Sequence, residues 1–318
     1  MEKKPLVILA GPTAAGKTAL SISLAKAIDG EIISCDSMQV YKYMDIGSAK
    51  IMPDEMQGIP HYMVDELLPS EEFNVCVFLN RAREAISQIY AKGKIPIAVG
   101  GTGFYIQALL KDTDFSQEAT DGSVRKKLEV YAKDYGAEAL FQRLKEVDPQ
   151  SAEMIHPNNI KRVIRALEFY KLHGTPISEH NSEQKEKESP YNFCYFVLND
   201  KRERLYASID KRVDQMMSMG LLDEVKNLKE MGYSRENVSM QGLGYKELLD
   251  YLDGKYSLEE AVYTIKRDTR HFAKRQLTWF RSKPEVTWIQ KDEFQYDTEK
   301  ILQYMMEELH KNKVLLKG

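Results

Sequence analysis

Short apolar runs alternate with amphipathic stretches along the first third of the chain. LVILA (6–10) ends at Gly11, and residues 17–28 follow with helical spacing at Leu20, Leu24 and Ala27. EIISCD (31–36) is a second apolar run closed by polar residues, and HYMVDEL (61–67) is a weaker one of the same kind. Residues 74–92 read as a helix ended by Gly93, IPIAVGG (95–101) as a buried strand and CYFVLND (194–200) as another. Runs that are apolar throughout belong to strands buried on both faces, and strands alternating with helices build a parallel sheet covered by helices. Residues 113–193 break this pattern. They are charged, helix-friendly and poor in strand signals, so they read as a mostly helical insertion domain, with the polar stretch 173–190 as its return linker. The core domain is then 1–112 plus 194–318, helical from residue 201 to the end.

Composition narrows the class. With 43% hydrophobic and 29% charged residues over 318 positions, the chain is an ordinary globular protein. Cys35, Cys76 and Cys194 are far apart, which excludes a disulfide framework and a zinc finger and fits a reducing, cytoplasmic setting. No run approaches the ~20 apolar residues of a membrane span. MEKKPLVILA resembles a short signal peptide, but a phosphate-type loop follows at once, so its apolar part reads as the first strand. A net charge of −3 argues against nucleic acid as a partner for the average surface. Residues 265–283 are an exception, with seven Lys/Arg and one Asp.

GPTAAGKT (11–18) fits G-x-x-x-x-G-K-[ST] between an apolar strand and a helix. Gly11 and Gly16 let the backbone N–H groups of the loop curl around phosphate oxygens, with Pro12, Thr13, Ala14 and Ala15 between them; Lys17 adds a point charge, and the Thr18 hydroxyl can hold Mg²⁺. Such loops usually bind ATP or another nucleotide, yet any diphosphate with Mg²⁺ satisfies the amides. The fold is therefore expected to be a P-loop NTPase-like parallel sheet flanked by helices. Ligands of open α/β sheets bind at the carboxyl ends of the strands, where Asp36, Asp65 and Thr102 are also expected. Asp36 in DSMQVY is a candidate general base or Mg²⁺ ligand. Asp65 resembles the acidic strand end of an ATPase, and GGTGFY (100–105) is a second Gly-rich turn. No guanine-reading N-K-x-D motif occurs.

As a helix, residues 265–281 place Ile265, Phe272, Ala273, Gln276, Leu277 and Phe280 on one face. Arg267, Arg270, His271, Lys274, Arg275 and Arg281 fall on the other. So few acids balance this face that contact with a phosphate backbone is expected. Lys161, Arg162 and Arg165 form a second basic cluster, which suggests a clamp on a large polyanion. Arg202, Arg204 and Arg212 follow the 194–200 strand, placed to hold a leaving diphosphate.

GPTAAGKT, DSMQVY, GGTGFY, HPNNIKRVIRALE (156–168), GLGYKE (242–247) and AKRQLTWFR (273–281) occur in that order. Together they resemble the bacterial tRNA dimethylallyltransferase family, the tRNA isopentenyl transferases. The resemblance spans most of the chain and implies transfer of a dimethylallyl group from dimethylallyl diphosphate to an adenosine exocyclic amine. The target it implies is the adenosine 3′ of the anticodon in tRNAs reading codons that begin with U. It assigns Asp36 as base and Thr102, Lys17 and Arg212 as catalytic neighbours, with Thr18 and Mg²⁺ at the diphosphate. It places Asp36, Ser37, Met38 and Gln39 against the target nucleotide of the anticodon stem-loop. Further tRNA contacts fall on Lys161, Arg162, Val163, Ile164 and Arg165, and on Gln241, Gly242, Leu243, Gly244, Tyr245 and Lys246. The last set is Lys274, Arg275, Gln276, Leu277, Thr278, Trp279, Phe280 and Arg281. No C-terminal zinc finger of the eukaryotic kind is present, and the chain is expected to work as a monomer away from membranes. A P-loop kinase leaves the basic helix without a role, and a nucleotide-driven nucleic-acid switch leaves DSMQVY and GGTGFY without one.

Overall fold

The computed structural model describes residues 3–113 and 122–315. Its contacts divide the chain into two units, Met1–Leu109 with Pro190–Gly318, and Leu110–Ser189. Of the insertion expected at 113–193, residues 114–121 lie outside the described residues.

The first unit is built on β1 (Lys4–Ala10), β2 (Gly30–Ser34), β3 (His61–Tyr62), β4 (Ile95–Gly100), β5 (Tyr191–Asn199) and β6 (Val286–Gln290). All neighbours are parallel, in the order β3-β2-β4-β1-β5-β6. β1 is central, and Leu6 to Ala10 are fully buried, as a run apolar on both faces requires. Val7 and Leu9 pack with Leu20 and Leu24 of α1 (Lys17–Ala27) and with Met305 and Leu309 of α12 (Thr298–Lys311). α2 (Val75–Ala91) starts at Asn74, whose side chain accepts from the Cys76 and Val77 N–H groups. α3 (Gly103–Leu110) follows β4, and α8 (Arg202–Ser218), α9 (Leu221–Glu230), α10 (Tyr245–Leu252) and α11 (Leu258–Arg281) follow β5. No described helix is long and apolar enough to cross a membrane.

Two strand expectations change. HYMVDEL yields only the two residues of β3, because Met63 and Asp65 take φ of 64° and 60° and turn the chain out of the ladder. The chain is not helical throughout after residue 201. Val286–Gln290 pairs with β5 as an edge strand, with only Ile289 fully buried. Hydrogen bonding to β5 makes it a strand, and its own pattern is too short to announce one.

The second unit contains α4 (Ser123–Val147), α5 (Pro149–Met154), α6 (Ile160–His173) and α7 (Ile177–Glu186). Leu128, Leu140, Phe141 and Leu144 pack on Val163, Ile164 and Leu167. The stretch expected as a flexible linker is therefore half helix. Ser178 anchors it by donating through N–H and hydroxyl to the buried Asp148 carboxylate, at 3.1 and 2.6 Å. The same carboxylate caps α5 through Ser151.

Candidate active site

Strand order makes the site. β2, β4 and β1 are adjacent, so the turns that leave them meet at one sheet edge. The Thr102 N–H donates to Cys35 O at 3.2 Å, tying the Gly-rich turn to the residue before Asp36. A cavity of about 450 Å³ opens there, with Thr13, Ala14, Asp36, Thr102 and Arg212 in its wall. Asp65 is not among them: it turns away and accepts from the buried Lys50 ammonium at 2.7 Å, which also holds Asp45 and Tyr41 O.

Asp36 and Arg212 of the cavity wall lie close enough to Lys17 of the phosphate loop to act on its charge. Lys17 Nζ donates to Gly11 O at 3.0 Å and Pro12 O at 2.8 Å. Burial lowers its pKa to about 8; nearby Asp36 opposes that effect and Arg212 adds to it. Arg212 is also lowered by burial and held up by Asp36. Asp36 Oδ1 accepts from the Met38 N–H at 2.8 Å, and its second oxygen has no hydrogen-bond partner among the described residues. At the start of α1, Gly16 supplies no side-chain cap, and the first-turn N–H groups of a helix have no partner within the helix. A positive cluster beside a helix N-terminus is an arrangement that favours an anion.

The same wall also carries apolar side chains. Tyr41, Phe73 and Tyr105 are among them, with the Phe73 ring edge-on to Tyr41 and Tyr105 at 6.4 and 5.7 Å. Ile209, Val213 and Met216 of α8 join Arg212 there at helical spacing, and Ile265 and Phe272 come from α11. Sequence reasoning assigned none of these apolar residues to the site. Tyr41 and Tyr105 close motifs that it did single out, whereas Phe73 sits in a loop with no signal of its own.

α11 is bolted to this edge by one polar side chain. Gln276, 7% exposed, accepts from the Thr13 N–H at 3.0 Å and donates to Gly101 O at 2.9 Å. The approach is so close that a Cβ on Gly101 would lie 2.2 Å from Gln276 Nε2, and one on Gly103 2.2 Å from the Trp279 ring. Both glycines thus make room for the side chains of α11. Trp279, Phe280 and Leu277 pack inward, so within 274–281 the side chains open to a large partner are Lys274, Arg275, Thr278 and Arg281.

The acid-poor reading of the basic helix needs correction. α8 brings Asp210 to Arg270 and Asp214 to Lys266, and Arg267 pairs with Asp268. The uncompensated charge is concentrated toward the helix C-terminus. In the 241–246 segment, Gln241, Gly242, Leu243, Gly244 and Lys246 line the cavity. Tyr245 is fully buried, donating to Glu224 at 2.7 Å. Ser37 and Met38 line the cavity, but Gln39 does not: it bridges Ser34 Oγ and Ala49 O and so shapes the DSMQVY turn. In the second unit Lys161 and Arg162 are exposed, Val163 and Ile164 are core, and Arg165 lies near Glu168. Of the three arginines after β5 only Arg212 reaches the cavity; Arg202 lies over Tyr206 and Arg204 over Tyr296.

The IPP transferase family model matches residues 39–283. The chain is 62% identical over 294 residues to a tRNA dimethylallyltransferase of Lachnoclostridium phytofermentans, a match covering 92% of this chain and 94% of that one. Among solved structures it is similar to the full-length tRNA isopentenylpyrophosphate transferase of Bacillus halodurans. There the TM-score is 0.73 with 45% identity, over 98% of both chains. A eukaryotic dimethylallyltransferase acting on tRNA is also similar, with a TM-score of 0.79 and 35% identity over 90% of this chain and 74% of that one.

Proposed function

The chain belongs to the IPP transferase family, and we propose that it transfers a dimethylallyl group from dimethylallyl diphosphate to the exocyclic amine of an adenosine in tRNA. The adenosine is the one 3′ of the anticodon, in tRNAs reading codons that begin with U. The observation that carries this reading is one cavity beside the phosphate loop whose wall combines Asp36 and Arg212 with Tyr41, Phe73, Tyr105, Ile209 and Val213.

The P-loop amides, Lys17 and Arg212 hold the diphosphate, and the aromatic wall takes the allylic chain. As the adenine nitrogen bonds to the allylic carbon, the carbon–oxygen bond breaks and its electron pair leaves on the diphosphate. Lys17 and Arg212 stabilise that charge. The amine lone pair is delocalised into the ring, so its proton must go to a base; Asp36 has a free carboxylate oxygen at the cavity wall for it. Thr102 stands beside the reacting groups. A base in a stacked loop cannot reach this depth and is flipped into the cavity. Lys274, Arg275 and Arg281, with Lys246 at the cavity wall and Lys161 and Arg162 in the second unit, meet the phosphate backbone.

The residues present fit a Mg²⁺ ion shared with the diphosphate. Among the described residues no three His, Cys, Asp or Glu side chains converge on a metal cage. Mg²⁺ needs no such cage, because it keeps several waters and binds through substrate phosphates with one or two protein oxygens. Thr18, exposed in the first turn of α1, would supply such an oxygen. When bound, the ion neutralises charge on the departing diphosphate.

The test is mass spectrometry of tRNA after incubation with Mg²⁺ and either the allylic diphosphate or ATP. The expected result is one dimethylallyl addition on an anticodon-loop adenosine with the allylic donor and none with ATP. Phosphate incorporation from ATP, or no covalent change with either donor, overturns the reading.

A further inference from the structure

Lys291 is the first residue after β6, and its ammonium reaches the outer side of the phosphate loop. Nζ lies 3.3 Å from Ala15 O and 3.5 Å from Asp200 Oδ2. A Cβ on Gly16 would be 3.8 Å away. Asp200 is nearly buried, and its other oxygen accepts from the Lys201 N–H at 2.7 Å and the Tyr296 hydroxyl at 3.2 Å. The lysine is thus braced from behind by a carboxylate that is itself fixed.

We propose that Lys291 is a positioning residue for the diphosphate, acting through the Ala15–Gly16 peptide. The inference rests on the diphosphate reading of the loop given above. A trans peptide is planar, with its C=O and N–H on opposite sides. A cation that holds Ala15 O on the outer side of the loop therefore directs the Gly16 N–H to the inner side, where phosphate oxygens collect. It also polarises the amide and strengthens that N–H as a donor. The loop needs such a restraint. Ala14 is held at φ 62°, a conformation that costs a non-glycine residue free energy, and Gly16 offers no side-chain cap. Lys17 and Arg212 act on the anion directly, whereas Lys291 never touches it.

The experiment measures inorganic diphosphate binding to the full chain by calorimetry in Mg²⁺, for wild type, Lys291→Met, Lys291→Gln, Lys291→Arg and Lys17→Ala. Removing one charge-assisted hydrogen bond to the loop should weaken diphosphate about tenfold in Lys291→Met. Lys291→Arg should recover most of it. KM for the allylic donor should rise by the same factor, with tRNA affinity unchanged, a split that a general loss of stability does not produce. Lys291→Gln, which keeps a donor without the charge, decides the same quantity if the Met variant does not fold. Wild-type diphosphate affinity in the Met or Gln variant, or an equal loss in Lys291→Arg, overturns the proposal while leaving the functional reading intact. No diphosphate binding by wild type overturns both.

Discussion

Replacing Gln276 with Leu removes a side chain that joins the phosphate loop to the Gly-rich turn while keeping nearly the same volume. Two hydrogen bonds are lost, from the Thr13 N–H at 3.0 Å and to Gly101 O at 2.9 Å. Their consequences differ. Gly101 O retains the Gly103 N–H at 3.1 Å, so it loses one of two partners and costs about 1 kcal/mol. The Thr13 N–H is left without a protein partner, which adds roughly 1–3 kcal/mol, with access to the cavity favouring the lower end. The expected loss is therefore about 2–3 kcal/mol of folding stability. Because Thr13 belongs to the loop proposed to hold the donor, KM for the allylic diphosphate should rise about tenfold. Urea unfolding followed by circular dichroism gives the first quantity and steady-state kinetics the second. Gln276→Glu sharpens the test: a carboxylate still accepts from Thr13 but faces Gly101 O with a second acceptor, so it should be worse than Leu. Stability within about 0.5 kcal/mol of wild type in Gln276→Leu, together with an unchanged KM, would refute the bridging role.

Three further outcomes follow from the same geometry. Lys17 has a folded pKa of about 8, below its ordinary 10.5, so below pH 8 the fold carries an ammonium that the unfolded chain hydrates better. That penalty, roughly 3 kcal/mol, is relieved as pH rises from 8 to 10.5, whereas diphosphate affinity, which needs the charged form, should fall up to tenfold per pH unit above about 8. A flat diphosphate titration between about pH 7 and 9.5 would count against Lys17 as a direct ligand. In a salt series of tRNA binding, Lys274→Ala should lower the log–log slope by about 0.7–0.9, while Arg270→Ala, already neutralised by Asp210, should change it little. Equal slopes for both variants would show that the Asp210 pair does not survive binding. Asp36→Asn keeps an oxygen for the Met38 N–H, so diphosphate and tRNA should bind almost as before while single-turnover transfer slows ~100- to 10,000-fold. A wild-type rate excludes Asp36 as the base, and lost donor binding assigns it to the metal.

The parts of this protein legible in its sequence are those decided within a few residues. Five consecutive apolar residues ending at Gly11 read as a strand buried on both faces, and GPTAAGKT after it reads as a phosphate-type loop entering a helix. The basic face of α11 is likewise local, because a helix of known period sorts its own side chains. Tertiary structure decided what depends on partners distant in the chain. β4 lies between β1 and β2, and that order, which no local pattern encodes, is why Thr102 and Asp36 share a wall while Asp65, turned out of its ladder, does not. β6 is a strand because β5 offers it hydrogen bonds, and only then does Lys291 arrive beside the loop. Asp210 neutralises Arg270 across 60 residues of sequence, and Gln276, a polar residue on a buried face, is explained only by two backbone groups brought to it from residues 13 and 101. Local steric preference and side-chain period are properties of the segment itself, whereas pairing, charge compensation and the satisfaction of buried polar groups belong to the assembled fold.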